Sequence, residues 1–473
     1  MKKRLFINGE WVESKHHRKL LSPYNQEILA EIPVATEEET EIAIEAAHRA
    51  RAVMARMPAH QRASILEKLV QLFEKRADEA AEIIALEAAK PIGTARGEVS
   101  RTIQTYKFAA EEAKRIHGET IPLDAAPGGE RRVAYTTREP IGVIGAITPF
   151  NFPMNLVAHK VGPAIAAGNT IVLKPAEQTP LSSLFLAELL QEAGLPDGAL
   201  NVVTGEGKVV GEKIVADSRV SMITFTGSPG VGIGIRNKAG LKRVTLELGS
   251  NAAVIIDKGV DINKIIPRCV TGAFANQGQV CISLQRVYAH EAVYHQFVEM
   301  FIERTEKLKL GDPLDPKTDI SALISPKDVE RSLNWIKEAK QGGAIVATGG
   351  KAEGNILSPT VILHADPHLK ISCQEVFAPI VLINKVQSVE EAIDLVNDSR
   401  YGLQAGIYTD NVHAAMDAAE KLHVGGVMIN DIPTFRVDHM PYGGVKESGF
   451  GREGVKYAVE EMTEITEEII ACC

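Results

Sequence analysis

The sequence predicts an α/β protein with two regions of parallel sheet and helices packed against both. From residue 140 to residue 232, short runs rich in Val and Ile alternate with longer runs of helical periodicity. The short runs are almost wholly apolar, as at 140–149, and such strands are typical of parallel sheets buried on both faces. The alternation resumes after Gly249 and continues to residue 430. This pattern predicts a doubly wound first domain and a second α/β domain.

The composition is that of an ordinary globular protein. The chain has 473 residues, 45% of them hydrophobic and 24% charged, and its formal net charge is −9. This length predicts two or three domains, and the acidic balance gives no basic surface for nucleic acid. No apolar run reaches the roughly 18 residues that a membrane-spanning helix needs. We therefore expect no nucleic-acid partner and no membrane partner.

The cysteines indicate a reducing compartment. The five are Cys269, Cys281, Cys373, Cys472 and Cys473. An odd number without metal-ligand spacing favours neither a disulfide framework nor a metal site. The first ten residues begin with basic side chains but lack the apolar centre of a signal peptide. We therefore expect a cytoplasmic protein with free thiols and no bound metal.

Turn and helix signals assign the first 140 residues. Asn8-Gly9 predicts the turn of a short hairpin over 6–11. Runs rich in Ala, Glu, Arg and Leu predict helices over 37–57, 61–90 and 96–116, and Pro91 ends the second. Alternating residues at 131–138 predict an exposed strand.

The same signals assign the two α/β regions. In the first, we predict strands at 140–149, 169–175, 200–204 and 221–226, and helices at 155–167 and 181–193. In the second, we predict strands at 252–257, 285–290, 344–347, 359–362, 381–385, 406–409 and 426–430, and helices at 260–276, 291–308 and 326–341.

Three residues are candidates for nucleophilic chemistry. Cys281 follows a polar, glycine-containing loop, and an accessible cysteine becomes a nucleophile when its thiolate fraction is raised. Glu247 lies in an apolar run, where a carboxylate is costly to bury unless it has a role such as that of a general base. Asn151 lies between two prolines, and its amide is able to donate to an oxyanion.

Each of the three also has an ordinary structural explanation. A lone cysteine is most often a small buried hydrophobe, and a glutamate at a strand end is common. An asparagine before a helix often caps that helix.

Together and in this order, the stretches around Asn151, Glu247 and Cys281 resemble the motifs of the aldehyde dehydrogenase superfamily, over nearly the whole chain. The resemblance implies oxidation of an aldehyde to a carboxylic acid with a nicotinamide cofactor. Cys281 would form a thiohemiacetal and then a thioester, and Glu247 would activate the hydrolytic water. Asn151 and the backbone N–H of Cys281 would hold the oxyanion.

The resemblance also implies a domain plan. A Rossmann-type cofactor domain would comprise residues 1–120 and 141–248, and an α/β catalytic domain residues 249–440. A small β arm would comprise residues 121–140 and 455–473, with a strand over 458–473. Because this arm makes oligomer contacts in the family, we expect a homodimer or homotetramer.

The chain departs from the family pattern at three positions. Ser250 replaces the second glycine after the base, and Phe150 stands where tryptophan is common. Relatives that act on phosphorylated aldehydes often carry an arginine immediately before the nucleophile, where this chain has Val280. The third departure argues against a site specific for phosphate.

The resemblance assigns a cofactor site. Lys174 and Glu177 follow a predicted strand, and a carboxylate there accepts from the ribose hydroxyls and repels a 2′-phosphate, which favours NAD. Lys174 is also able to meet a phosphate, so use of NADP stays open. Gly227 and Gly232 enclose a turn into a helix, which is typical of a pyrophosphate site. Glu375, otherwise an acidic residue of a surface loop, would hold the nicotinamide ribose. The expected site further includes Thr148, Pro149, Phe150, Gly207, Gly211, Phe225, Ser228, Leu248 and Phe377.

Four residues are candidates for substrate binding. Arg101 and Arg436 are able to bind an anionic tail such as a carboxylate, phosphate or sulfonate, and each is equally compatible with an ordinary surface arginine. Phe152 and Phe435 indicate a partly apolar pocket. We expect a small aldehyde bearing a hydroxyl or an acid group, with lactaldehyde-like and succinate-semialdehyde-like substrates both allowed.

Three other functions remain as alternatives. A coenzyme-A-acylating relative would not need a hydrolytic base, so the presence of Glu247 argues against it. An NADP-using semialdehyde dehydrogenase is the second alternative. A non-catalytic binding or structural protein on the same scaffold is the third, and it predicts loss of the thiol or the base.

Overall fold

The computed structural model describes residues 1–471. The strands are β1 Leu5–Ile7, β2 Glu10–Val12, β3 His17–Leu21, β4 Ile28–Pro33, β5 Thr120–Ile121, β6 Arg132–Pro140, β7 Val143–Ile147, β8 Thr170–Lys174, β9 Leu200–Val202, β10 Val220–Thr226, β11 Arg243–Glu247, β12 Ala253–Ile256, β13 Arg286–His290, β14 Ile345–Thr348, β15 Ala352–Glu353, β16 Ile356–Leu357, β17 Thr360–Leu363, β18 Ile380–Val386, β19 Tyr401–Gly402, β20 Gln404–Tyr408, β21 Gly426–Ile429, β22 Val445–Lys446, β23 Gly449–Phe450 and β24 Thr463–Ala471.

Helices pack on both sheets. They are α1 Glu37–Arg56, α2 Ala59–Lys75, α3 Ala77–Ala88, α4 Ile92–Glu112, α5 Asn155–Ala167, α6 Leu181–Ala193, α7 Glu212–Ala216, α8 Pro229–Lys238, α9 Ile262–Phe274, α10 Glu291–Glu306, α11 Pro326–Gln341, α12 Lys370–Cys373, α13 Val389–Asn397, α14 Val412–Lys421 and α15 Val455–Glu461. Across residues 1–471, none of these helices combines the length and the apolar character that crossing a membrane requires.

The first sheet has the strand order β2-β1-β9-β8-β7-β10-β11-β23. Its five central strands are parallel, and both edges are antiparallel. Ile147 pairs with both Lys174 and Phe225, and Thr226 pairs with Glu247. The segments that follow β7, β8, β10 and β11 therefore all leave the sheet at the carboxyl ends of its parallel strands. Ligands of open parallel sheets bind at these ends.

The second sheet has the order β14-β17-β18-β13-β12-β20-β21 and is parallel apart from its edge strand β14. The predicted α/β class with two parallel sheets is confirmed. The domain boundaries taken from the resemblance stay a prediction.

The arm is a three-stranded sheet of order β24-β6-β5. Strand β24 runs antiparallel to β6 along its whole length, from Thr463 opposite Pro140 to Ala471 opposite Arg132. The strand predicted over 458–473 is wrong at its start, because residues up to Glu461 form helix α15. Val455 and Val459 are buried in the core shared with α4 and α5, and this burial favours the helix over an exposed strand. Residues 472–473 lie outside the described part of the chain.

The helix predicted over 61–90 is two helices, α2 and α3. The break is at Arg76, whose φ of −114° and ψ of 26° are not helical, and its guanidinium bonds Glu79 and Glu188. Both halves pack against α4 and α6, so tertiary contacts rather than a glycine or proline set the break. The next helix covers Ile92–Glu112 instead of 96–116, because Pro91 immediately precedes its first turn.

A buried glutamate joins α3 to α6. Glu87 Oε2 accepts from the Leu181 N–H at 2.7 Å, and Oε1 accepts from the Ser182 N–H at 3.0 Å and from its hydroxyl. Helix α6 lacks a side-chain cap from its own preceding residue Pro180. Glu87 therefore satisfies two of the four N–H groups that every helix leaves free at its start. Burial raises the pKa of this carboxyl to about 8.

We predict that Glu87→Ala destabilises the fold. The substitution leaves two buried N–H groups without an acceptor, which costs about 1–3 kcal/mol each in such sites. Urea unfolding followed by circular dichroism measures the loss, with Glu82→Ala as the control because Glu82 is exposed on the same helix. Equal stability of the two variants would contradict the capping role.

Candidate active site

The loop before Cys281 has an unusual backbone. Helix α9 ends at Phe274, and then Asn276, Gln277 and Gly278 all have left-handed φ values, of 51°, 55° and 67°. Such a conformation costs a non-glycine residue about 1–3 kcal/mol. The Gln277 side chain compensates by donating to the Ala89 carbonyl at 2.8 Å and the Ala322 carbonyl at 2.9 Å. These hydrogen bonds fix the backbone of the loop that leads to Cys281.

The Cys281 thiol contacts a buried phenol. Its Sγ lies 2.9 Å from Tyr442 Oη, and Tyr442 is 2% exposed. Burial raises the pKa of the thiol to about 11, against the opposing effects of the Tyr442 hydrogen bond and the Arg436 charge. The thiol is therefore protonated at neutral pH, and its ionisation depends on these neighbours.

Glu247 is the last residue of strand β11, and its carboxyl group has no hydrogen-bond partner in the described residues. The residue is 3% exposed. Burial and the nearby charge of Glu453 raise the pKa of Glu247 well above its usual range. A carboxyl kept in this way is costly to the fold and a stronger base than a solvated one, which is typical of functional sites.

Asn151 is directed at the nucleophile loop. Its side-chain Nδ2 donates to the backbone carbonyl of Gln279 at 2.9 Å, and its backbone carbonyl accepts from Lys90 Nζ at 2.6 Å. The amide nitrogen has a second N–H, which suits it to an oxyanion beside Cys281. Asn151 does not cap α5, because that helix begins four residues later at Asn155.

A cavity of about 610 Å³ at the carboxyl ends of the strands of the first sheet brings the three candidate catalytic residues together. Asn151, Glu247 and Cys281 all line it. So do nine residues expected in the cofactor site, which are Thr148, Pro149, Phe150, Phe225, Gly227, Ser228, Leu248, Glu375 and Phe377. Thr148 Oγ1 is buried with no hydrogen-bond partner in residues 1–471. The cavity therefore offers polar groups that the protein itself leaves unused.

Glu375 is held at the wall of this cavity. Its Oε1 accepts from the Ser250 N–H at 2.9 Å, and burial raises its pKa to about 7. Gly249 has no room for a side chain, since a Cβ there would overlap the Glu375 carboxylate. The ring of Phe377, whose φ is 49°, meets Phe150 edge-on at 5.8 Å between centroids.

A second cavity, of about 570 Å³, adjoins the first through Val231, which lines both. Lys174, Glu177, Gly207 and Gly211 line it. Ser228, which lines the first cavity, immediately precedes the ten-residue helix α8, whose first N–H groups suit a pyrophosphate. Gly232 lines neither cavity and packs against Leu248, so its lack of a side chain serves helix packing.

Arg18 is a residue of this region that the sequence analysis missed. Its guanidinium lies 3.6 Å from the Glu177 carboxylate and also donates to the Glu177 carbonyl. Lys174 Nζ donates to the Pro175 carbonyl at 3.2 Å, and burial lowers its pKa. Glu177, the carboxylate expected at the cofactor ribose, thus has a cation beside it that is 159 residues away in the chain.

Arg436 is buried rather than a surface arginine. It donates to Glu453 Oε2 at 3.0 Å, and its Cζ lies 3.6 Å from the centre of the Tyr442 ring. Its Nε is buried with no hydrogen-bond partner in the described residues. Lys160 donates to Glu453 Oε1 at 2.7 Å. Although burial favours the protonated form, these two cations hold the pKa of Glu453 well below its usual range.

Arg101 belongs to a neighbouring cluster. It forms two hydrogen bonds with Asp438, of 2.7 and 3.2 Å, and its side chain is 31% exposed. His159 Nε2 lies 2.9 Å from the same carboxylate. Burial opposes ionisation of Asp438, but the hydrogen bonds from His159 and Arg101 keep its pKa below the usual range. A signal for this cluster was present in the sequence, because His159 and Lys160 interrupt the apolar run of α5.

The two phenylalanines differ in position. Phe152 packs against the apolar cluster around Cys281, with Lys90 Nζ 3.9 Å above its ring and Arg101 Cζ at 5.8 Å. Phe435 is 38% exposed, and Gln404 Nε2 donates to its backbone carbonyl at 3.0 Å. Phe152 is therefore close to the thiol, whereas Phe435 lies on the surface.

Comparison with known proteins identifies the family. The family model described as "Aldehyde dehydrogenase family" matches residues 11–467. The chain is 49% identical over 460 residues to 3-sulfolactaldehyde dehydrogenase of Priestia aryabhattai, covering 97% of this chain and 96% of the relative. It is 42% identical over 471 residues to lactaldehyde dehydrogenase of Methanococcus aeolicus, covering 98% and 99%.

Solved structures agree in fold. Aldehyde dehydrogenase 21 of Physcomitrella patens, in complex with the reaction product succinate, matches with a TM-score of 0.97 and 40% identity, over 99% of this chain and 98% of that one. Glyceraldehyde-3-phosphate dehydrogenase of Methanocaldococcus jannaschii, complexed with NADP, matches with a TM-score of 0.93 and 41% identity, over 97% and 100%.

Proposed function

This chain belongs to the aldehyde dehydrogenase family and oxidises small aldehydes to acids with a nicotinamide nucleotide, and we propose that Cys281, Glu247 and Asn151 carry the reaction. The observation behind this assignment is that one cavity brings a thiol, an unbonded buried carboxyl and a free amide N–H together. These are the nucleophile, base and oxyanion donor that the reaction needs.

The first step is attack of the Cys281 thiolate on the aldehyde carbon. The carbonyl oxygen becomes an alkoxide, and the free N–H of Asn151 and the backbone N–H of Cys281 donate to it. One such donor contributes about 2.7–4 kcal/mol to the transition state. When bound, the nicotinamide supplies the hydride acceptor, and loss of hydride from the thiohemiacetal carbon leaves a thioester on Cys281.

Glu247 completes the cycle by taking a proton from water. The resulting hydroxide attacks the thioester carbon, the carbon–sulfur bond breaks, and the acid is released with Cys281 as thiolate. The raised pKa of Glu247 makes it a stronger base. Because the base must be ionised, the hydrolytic rate falls as pH decreases through this raised pKa, at higher pH than for a solvated glutamate. The presence of Glu247 in the cavity also argues against the coenzyme-A-acylating alternative, which needs no hydrolytic base.

We predict that Glu247→Gln slows thioester hydrolysis more than hydride transfer. Rapid mixing with aldehyde and NAD should give a burst of reduced cofactor of about one equivalent per site, followed by a slow steady rate. Cys281→Ala should give neither burst nor turnover, and Cys269→Ala, which removes a buried thiol outside the cavity, should keep both. A wild-type steady rate in Glu247→Gln would place the base elsewhere.

For the cofactor, we propose NAD as the preferred nucleotide, with NADP also used. The paired cavities, the α8 N-terminus and the unused Thr148 hydroxyl fit a dinucleotide. Glu177 supports NAD, because its carboxylate repels a 2′-phosphate. Arg18 and Lys174 act in the opposite direction by placing positive charge beside that carboxylate.

We predict a preference for NAD of about tenfold in kcat/KM, equivalent to about 1.4 kcal/mol. Glu177→Ala should narrow the ratio toward one, because the repulsion is removed. Arg18→Ala should widen it, because the carboxylate loses its cation. The six measurements are kcat/KM for both nucleotides in the wild type and in each of the two variants. A ratio that stays at the wild-type value in both variants would contradict this placement of the ribose.

For the substrate, we propose a small aldehyde with an anionic tail. Arg436 has a buried Nε without a partner, and Arg101 is partly exposed beside Phe152. Ion pairs surround this part of the site: Lys90 with Glu98, Arg101 with Asp438, and both Lys160 and Arg436 with Glu453. 3-Sulfolactaldehyde and succinate semialdehyde carry such a tail, and lactaldehyde does not.

We predict that Arg101→Gln discriminates between these substrates. With 3-sulfolactaldehyde or succinate semialdehyde, kcat/KM should fall about 10- to 100-fold, as expected for a lost hydrogen bond between charged groups. With lactaldehyde it should change little. Arg96→Gln is the control, because Arg96 is exposed on the same helix. Equal losses on all three aldehydes would mean that Arg101 acts only through Asp438.

We also propose that the arm joins copies of this chain, as a homodimer or homotetramer. Its strands expose apolar side chains, with Val133 47%, Ile465 61%, Ile469 55% and Ile470 54% exposed. Exposed apolar patches of this kind are typical of interfaces.

We also propose a cytoplasmic location, which the free thiols of Cys269, Cys281 and Cys373 support.

A further inference from the structure

The hydroxyl of Tyr442 has a specific contact with the nucleophile. Its Oη lies 2.9 Å from Cys281 Sγ. Within residues 1–471, neither the Tyr442 hydroxyl nor the Cys281 thiol forms any other hydrogen bond. The two residues are 161 positions apart in the chain. Tyr442 is 2% exposed, so solvent does not compete for its O–H.

The position of Tyr442 is fixed by a closed set of contacts. Its backbone exchanges two hydrogen bonds with Glu453, of 3.0 and 2.7 Å. The Glu453 carboxylate accepts from Arg436 at 3.0 Å, and the Arg436 guanidinium lies 3.6 Å above the Tyr442 ring. A cation over an aromatic face is attracted by the ring, and it draws electron density from the phenol, which strengthens the O–H as a donor.

The direction of the hydrogen bond follows from the surroundings. Burial and the neighbouring thiol raise the pKa of Tyr442 well above its usual range, so the phenol keeps its proton. When Cys281 ionises, the sulfur therefore accepts from the Tyr442 O–H, and this hydrogen bond acts to lower the pKa of the thiol.

We propose that Tyr442 is a further catalytic residue, whose hydroxyl donates to the Cys281 thiolate and raises the fraction of thiolate available for attack. The inference rests on the proposed role of Cys281. No bond is made or broken at Tyr442, whose proton stays on oxygen throughout. Arg436 and Glu453 are positioning residues for this hydroxyl.

The size of the effect follows from two opposing trends. Lowering the pKa of a thiol by one unit raises the thiolate fraction tenfold at pH values below that pKa. Its intrinsic nucleophilicity falls about threefold, because reactivity follows basicity with a coefficient of roughly 0.4–0.5. The net gain in attack rate at neutral pH is therefore about threefold per unit.

The test is alkylation of Cys281 by iodoacetamide without aldehyde, followed by peptide mapping between pH 7 and pH 10. Tyr442→Phe keeps the ring under Arg436 and removes only the hydroxyl. We expect alkylation about threefold slower at each pH. The thiolate absorbance near 240 nm, taken as the difference from Cys281→Ala, should titrate about one pH unit higher, equivalent to about 1.4 kcal/mol.

Tyr106→Phe is the matched control, because Tyr106 is fully buried and its hydroxyl has no hydrogen-bond partner in the described residues. It should leave both readouts unchanged. An alkylation rate in Tyr442→Phe equal to or above that of the wild type, or an unmoved titration, would overturn the proposal. Both readouts omit turnover, so they stand even where Cys281→Ala shows that another group is the nucleophile.

Discussion

The buried carboxylate of Glu453 is the interaction on which the arrangement of the site depends. It accepts from Lys160 at 2.7 Å and from Arg436 at 3.0 Å, and all three side chains are nearly inaccessible to solvent. A buried charge without a partner costs several kcal/mol, so neither cation would be stable here without this carboxylate. The same charge contributes to the raised pKa of Glu247. One side chain thereby links the candidate base, the arginine and, through the arginine, the phenol that contacts the thiol.

Desolvation is the common property of the acidic groups that line the candidate site. Burial raises the pKa of Cys281, of Glu247 and of Glu375, so the cavity disfavours the accumulation of negative charge. Charge created during a reaction then has to be met by donors already in place, which is more effective in a low-dielectric site than in water. Tyr442 and Asn151 are the donors that we propose for this role, and each is fixed by contacts that do not involve a ligand.

The sequence singled out the candidate reactive residues but not their surroundings, and the roles of these residues stay a prediction. Cys281, Glu247 and Asn151 each stand out by chemistry or local pattern, and all three line one cavity. Arg436, weighed equally as a surface arginine, is instead buried against Tyr442. The contact of Arg18 with Glu177 had no signal in the sequence, because nothing near either residue specifies the other. The helix break at Arg76 and the helix at 455–461 were missed for a similar reason, since packing with distant helices and buried side chains decides both.

By itself, the sequence determined the alternation of strands and helices, the α/β class and the residues that follow each parallel strand. These are local properties, because hydrophobic periodicity and turn chemistry act over a few residues. The tertiary structure alone decided which side chains meet. Cys281 and Tyr442 are 161 residues apart and Arg18 and Glu177 are 159 apart, yet each pair is in contact. Because a pKa depends on burial and on charges within a few ångströms, the acid–base properties of Cys281 and Glu247 are set only once the chain has folded.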